Sequence, residues 1–284
     1  MNSEIKRKRK WQYVIAIFSL EVLTSLVFFS RCKEPKMLSG TDLTTASPLI
    51  TLEKDGIRLT EVVSPSFNTA TLVQKAPTNL TWCDTVVGFN FSVADYSLGI
   101  ATSDAGEKLC SNSPEGQHIH HILNNEPYTA HYVSNFTKTL KDGHYISLSF
   151  LSRSYHESVK TRNAYQLTQF SVGAAKMDIK PYDLNKPMLF YSRPKGAYKG
   201  ADTKYVLLDF YVVNCNLSEK EYKVRARING VDFIIEQWTP FFIEGLKEGD
   251  NTIELTLLDK NNAIVVAPFN PMKRTIQLSN MVKY

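Results

Sequence analysis

The chain of 284 residues is 43% hydrophobic and 21% charged, an apolar share that fills a packed core and excludes wholesale disorder. Its formal charge of +5 is unevenly placed: residues 1–32 hold six cations and two anions, which leaves 27 cations against 26 anions in the rest. A body that is so nearly balanced does not point to a nucleic-acid-binding face.

The N-terminus opens with an unbroken basic run, Lys6 to Lys10, followed by a mostly apolar stretch from Trp11 to Ser30. A basic flank is retained on the cytoplasmic side, and about 20 apolar residues suffice to span a bilayer as a helix. Gln12 and Glu21 weaken the span. Cys32 follows directly, where a lipidated cysteine would stand after signal cleavage, although Arg31 occupies the place of the usual small residue. Residues 1–32 are therefore read as a signal peptide or membrane anchor, lipoprotein or uncleaved. Either form holds the body outside the cytoplasm, in the cell envelope. Residues 33–48 are polar, contain two prolines and read as a linker.

The remainder reads as strands. Phe89 to Val93 and His144 to Phe150 alternate apolar with polar residues, and Val206 to Val213 is a continuous β-rich run suited to a central strand. Lys223 to Ile228 runs into Asn229-Gly230, a strong hairpin signal, and Phe233 to Ile235 follows. Asn251 to Leu258 leads through a turn at Asp259 to Asn262 into a further expected strand, Ile264 to Val266. The pattern implies an all-β fold: two Ig-like or cupredoxin-like β-sandwich domains after an N-terminal hydrophobic helix. Residues 49–177 form the first domain and 188–284 the second. The proline-containing segment 178–187 is the boundary, with a single larger sandwich as the alternative.

Three cysteines follow Cys32, with no CxxC pair and no zinc-finger spacing. In an exported chain, Cys83 and Cys110 can close a disulfide loop of about 27 residues, worth roughly 3 kcal/mol in the chain-entropy model. Cys215 is then a small buried hydrophobe; three buried thiols is the alternative.

All six histidines lie between His118 and His156. On a strand, alternate residues share a face, so His118 and His120 point one way and His121 the other, among apolar neighbours. His131 fits an exposed or hairpin position. If the strands carrying His120 and His144 are antiparallel neighbours, His118, His120, His144 and His156 converge. Neutral imidazole is a ligand for copper or zinc, so the four form a candidate metal set. A polar structural network is the competing reading.

Two cationic segments lie close to these histidines in sequence: Ser152 to Lys160, and Tyr191 to Gly196 with Pro194 stiffening the turn. Arg153, Lys160, Arg193 and Lys195, with His156, form a candidate site for a small polar or anionic ligand such as a phosphopeptide. Ser154 and Ser158 flank His156, but no G-x-S-x-G elbow is present, and the protein is read as non-enzymatic. Four N-glycosylation triplets, at Asn79, Asn90, Asn135 and Asn216, matter only on a eukaryotic secretory route, which the bacterial character of the anchor disfavours.

The segments Gly116-Gln-His-Ile-His120, Asn125-Glu-Pro-Tyr128, Phe150 to Lys160 and Leu189 to Gly196 resemble a family of uncharacterised exported proteins of Bacteroidota and related bacteria. The likeness extends through Trp238 to Pro240 and Glu244 to Leu246 and covers nearly the whole body. It implies an envelope protein of unassigned activity and carries over no catalytic residue. Residues 116–156 are also similar, more loosely, to small periplasmic histidine-containing β-domains.

Overall fold

The computed structural model describes residues 48–174 and 181–280. The signal or anchor reading, Cys32 and nearly all of the 33–48 linker lie outside these residues. Among the described residues no helix is long and apolar enough to cross a membrane.

Strands β1 (Thr51–Lys54), β2 (Ile57–Glu61), β3 (Thr71–Ala76), β4 (Thr81–Cys83) and β5 (Val86–Ala94) lead to β6 (His118–Leu123) and β7 (Thr129–His131). Next come β8 (Asn135–Thr139), β9 (Gly143–Ser152), β10 (Tyr165–Val172), β11 (Met188–Arg193) and β12 (Ala197–Lys199). The C-terminal part holds β13 (Val206–Val213), β14 (Lys223–Ile228), β15 (Val231–Ile235), β16 (Phe241–Glu244), β17 (Gly249–Leu258) and β18 (Met272–Ser279).

They form two sandwiches. In the first, the sheet β3-β5-β8 faces β4-β10-β9-β6-β7 across a core of Leu72, Phe89, Phe91, Ile119, Leu151 and Phe170. In the second, β1-β2-β16-β13-β11 faces β12-β18-β17-β14-β15 across Leu59, Leu208, Phe210, Ala226, Leu255 and Leu257. A third apolar cluster joins them: Ile122, Leu148 and Phe150 from β6 and β9 meet Met188, Phe190, Tyr211 and Val213 from β11 and β13. The two sandwiches thus stack back to back, and the two inner sheets are covered on both faces.

That double coverage explains the sequence of the central strands. Every residue of β11 and β13 is buried, so the apolar run at Val206 to Val213 has no solvent-facing alternation. The outer strands keep it; β5 alternates buried and exposed along most of its length.

Three expectations need correction. Residues 51–61, assigned to the first sandwich, belong to the second, because β2 pairs with β16 and sends Ile57 and Leu59 into that core. Ile264 to Val266 is no strand but a single bridge to Leu258, after which Val266 is fully exposed. Cys83 and Cys110 are not bonded to each other and, like Cys215, are free thiols. Cys83 packs at the end of β4 against the first core, whereas Cys110 is buried within electrostatic reach of Arg193, Glu157 and Lys108. Burial pushes the Cys110 thiol up to about 11, so it remains protonated and unreactive at neutral pH.

Candidate functional site

At one end of the seam between the sandwiches, apolar packing gives way to imidazoles. The antiparallel register of β6 on β9 pairs His118 with Ser152 and His120 with Phe150. His118 and His120 share the face that carries Ile122, and that face looks across the seam toward β11. Both are buried. Directly beyond β9 the chain turns back, with His156 N–H donating to Arg153 O (2.9 Å) and Arg153 N–H to Glu157 O (2.8 Å). The turn swings His156 over its strand neighbours.

Three nitrogens meet there. His118 Nε2 lies 2.9 Å from His120 Nε2 and 3.2 Å from His156 Nδ1. One ligand atom from each of the three rings falls within 4.8 Å of the others. Proton positions follow from the partners. Gly116 O, 2.8 Å from His118 Nδ1, can only accept, so Nδ1 carries the proton and Nε2 presents its lone pair. That one lone pair faces two other ring nitrogens and can accept only one good hydrogen bond. Ser192 Oγ, 3.3 Å from His120 Nδ1, orients the second ring from across the seam.

Backbone geometry fixes this arrangement. Gly116 has φ +86, and a Cβ there would lie 2.6 Å from the Ile100 backbone, so only glycine brings the carbonyl to His118. His156 has φ +66, the left-handed region where glycine or asparagine costs least. A histidine held there carries local strain of about 1–3 kcal/mol. In this conformation its Nδ1 lies 3.2 Å from His118 Nε2.

Burial holds the trio neutral. His118 is lowered to about 4, first by desolvation and then, against the Gly116 hydrogen bond, by the charges of Arg193 and Lys195. His120 and His156 are also held well below the ordinary imidazole value for the same leading reason, with Arg193, Lys195 and the neighbouring imidazoles adding to it. Unprotonated imidazole is the form that coordinates a metal.

Around the trio, Tyr128 stacks on His120 with ring centres 3.5 Å apart and planes 15° apart. Lys195 Nζ sits 3.7 Å from the other partner of that stack, the Tyr128 ring, and donates to Tyr128 O (2.7 Å). Arg193 donates to Tyr198 Oη (3.0 Å). Tyr132 flanks His118 at 5.0 Å and shares a hydrogen bond with Ser113 (2.7 Å).

Of the four imidazoles in the candidate metal set, His144 does not join. The β6–β9 register ends at Leu123 with Ser147, so His144 lies beyond the paired region, bonding Gln169 (3.1 Å) and Ser171 (3.3 Å). His121 points into the first core against Phe89 and Phe136, and His131 stacks on Phe136 at 3.4 Å. The candidate anion set also divides. Arg193 and Lys195 border the trio, but Arg153 is a buried clamp on its own turn, paired with Glu157 at 2.9 Å and donating to Ser158 O and Pro65 O. Lys160 pairs with the buried Asp209, which also accepts from the Ser158 hydroxyl at 2.9 Å.

Residues not singled out as site members complete the neighbourhood. Asn125, fully buried at φ +57, donates to Leu189 O (3.0 Å) and accepts from Tyr191 N–H (2.8 Å), tying the loop before Tyr128 to β11. Arg274 donates to Ser192 O (3.2 Å) and Asn125 O (3.0 Å), so three segments distant in sequence lock the wall opposite the histidines. The motif Asn125 to Tyr128 and the lone acid in the run Val206 to Val213 were the available signals.

No family model matches the chain, and no curated protein matches it. Among solved structures, the fibronectin(III)-like modules of Clostridium thermocellum CbhA are 11% identical over 74% of this chain and 95% of theirs, with a TM-score of 0.26. Bacteroides ovatus SGBP-B, in complex with a mixed-linkage heptasaccharide, is 10% identical over 74% and 70%, at 0.22. The FN1–FN3 domains of chicken CNTN1 are 7% identical over 78% and 68%, also at 0.22. Chains with TM-scores this low do not superpose as wholes, and no functional conclusion follows from them.

Proposed function

We propose that this is an envelope-tethered, non-enzymatic binding protein whose His118, His120 and His156 hold one transition-metal ion, copper in preference to zinc. The observation that carries the reading is the convergence of one ring nitrogen from each of three uncharged imidazoles, His120 Nε2 and His156 Nδ1 both lying against His118 Nε2.

Ligand type favours copper: a site of imidazole nitrogens binds cupric ion more tightly than zinc. Tetrahedral bonds of about 2.0–2.1 Å separate ligand nitrogens by about 3.3–3.4 Å, whereas ligands at right angles lie about 2.9 Å apart. Of the two separations at His118, 2.9 Å matches ligands at right angles and 3.2 Å lies nearer the tetrahedral value, so the spacing accommodates either metal. The charges, like the ligand type, favour copper. With no carboxylate among the ligands and Arg193 and Lys195 nearby, a singly charged cuprous ion meets less repulsion than a divalent one, and an anion makes a natural additional ligand. The anion reading thus survives as a companion of the metal, through Arg193 and Lys195, without Arg153 and Lys160.

Titration of the untagged full chain with copper, in competition with zinc, tests the reading. Electron paramagnetic resonance of the cupric form should show coupling to three nitrogens, and zinc should not displace copper at equal concentration. Zinc binding more tightly at the same histidines would overturn the preference; coupling to fewer than three nitrogens would overturn the site.

A further inference from the structure

Away from the histidines, the same seam opens into a groove of two adjoining lobes, of about 590 Å³ and 480 Å³, that share Arg162, Tyr165 and Asn214. We infer that this groove binds a neutral oligosaccharide chain, independently of any metal at the histidines.

Three aromatic rings line it, and each is held from behind. Tyr165 packs against Tyr211 at 5.2 Å. Trp238 meets the same Tyr211 edge-on at 4.7 Å and donates its indole N–H to Phe210 O (3.0 Å). Tyr182 is pinned through its backbone, accepting from Gln169 Nε2 (2.8 Å) and donating to Gln169 Oε1 (3.0 Å). All three remain half-buried, with surface left toward the groove. Fixed aromatic faces attract the polarised C–H bonds of a sugar ring and lose little freedom on binding.

Between the rings stand groups that match hydroxyls. Arg162 is exposed and makes no hydrogen bond or ion pair with the described residues, so its five donors are available. Asn214 spends its amide on Leu184 O and Lys186 O (2.6 and 3.0 Å), which leaves its carbonyl to accept. Asp183 accepts from Asn185 through Oδ1 and keeps Oδ2 as an acceptor, and its charge balances that of Arg162 within the lining, since Lys160 is already committed to Asp209. A lining that mixes donors and acceptors at balanced charge suits a polyol better than an anion. An apolar ligand finds no dry pocket here.

Native gels cast with dextran, galactomannan, xylan, hydroxyethyl cellulose or polygalacturonate test the inference on the full chain. At least one neutral polymer should retard the protein. Arg162→Ala and Tyr182→Ala should each weaken binding of the matching oligosaccharide at least tenfold by calorimetry, with unchanged melting temperature. His120→Ala should bind as the parent does, which separates this site from the metal centre. Retardation by none of the neutral polymers, retardation by polygalacturonate alone, or undiminished binding by the Arg162→Ala/Tyr182→Ala double variant would each overturn it.

Discussion

His118 Nε2 and His120 Nε2 face each other across 2.9 Å although their residues are only two apart on one strand. Side chains two apart on a strand start about 7 Å from each other. Here the Gly116 carbonyl tilts one ring and the Tyr128 stack holds the other, and this draws the two ring nitrogens together.

His156 offers a test in which fold and function separate. Its left-handed backbone is strained as histidine and relaxed as glycine. His156→Gly should leave unfolding free energy unchanged within about 1 kcal/mol or raise it, while copper affinity falls at least a hundredfold. Chemical denaturation with chelator present, alongside copper titration, measures both. A large loss of stability would show that the ring serves packing.

Stability of the metal-free protein should fall in acid. Burial lowers His118 and His131 to about 4, with Lys138 adding to the effect at His131, and desolvation holds His121 further below its ordinary value. Between the unfolded value of about 6.5 and the folded values, the unfolded chain binds more protons, so stability is complete above about 6.5 and declines as pH falls. Each such imidazole contributes at most about 1.4 kcal/mol per pH unit. Denaturant midpoints measured from pH 7.5 to 4.5 with chelator present should decrease steadily below 6.5, and a flat profile would contradict the buried neutral assignment.

Asp209 anchors the seam. Its fully buried carboxylate accepts from Lys160 and from the backbone and side chain of Ser158, so it ties the histidine-bearing turn to β13. Removing one partner of a buried pair leaves the other uncompensated. Lys160→Met should cost about 3–5 kcal/mol, because it strands the fully buried Asp209 carboxylate, and Asp209→Ala less, because the freed Lys160 reaches solvent more easily. Equilibrium unfolding of both variants decides the order.

Much of the fold was legible because period-two alternation survives where one face of a sheet meets water, as in β5, and because Asn229-Gly230 marks its hairpin. The pairing of β2 with β16 was not, since nothing local in Ile57 to Glu61 reveals a partner about 180 residues away. At the site, alternation placed His118 and His120 together and His121 apart. The exclusion of His144 depended on register, which the strand sequences leave open by several residues. Arg153 and Lys160 looked free because their partners, Glu157 and Asp209, are distinguished only by burial. Ser192 reaches the histidines from across the seam, and only the stacking of the two sandwiches brings it there.

The most direct test is the copper stoichiometry of the untagged full chain, compared with His120→Ala and His144→Ala. One equivalent in the parent and in His144→Ala, with none in a folded His120→Ala, is the expected result. Equal copper in all three, or none in the parent, would contradict a metal centre at His118, His120 and His156.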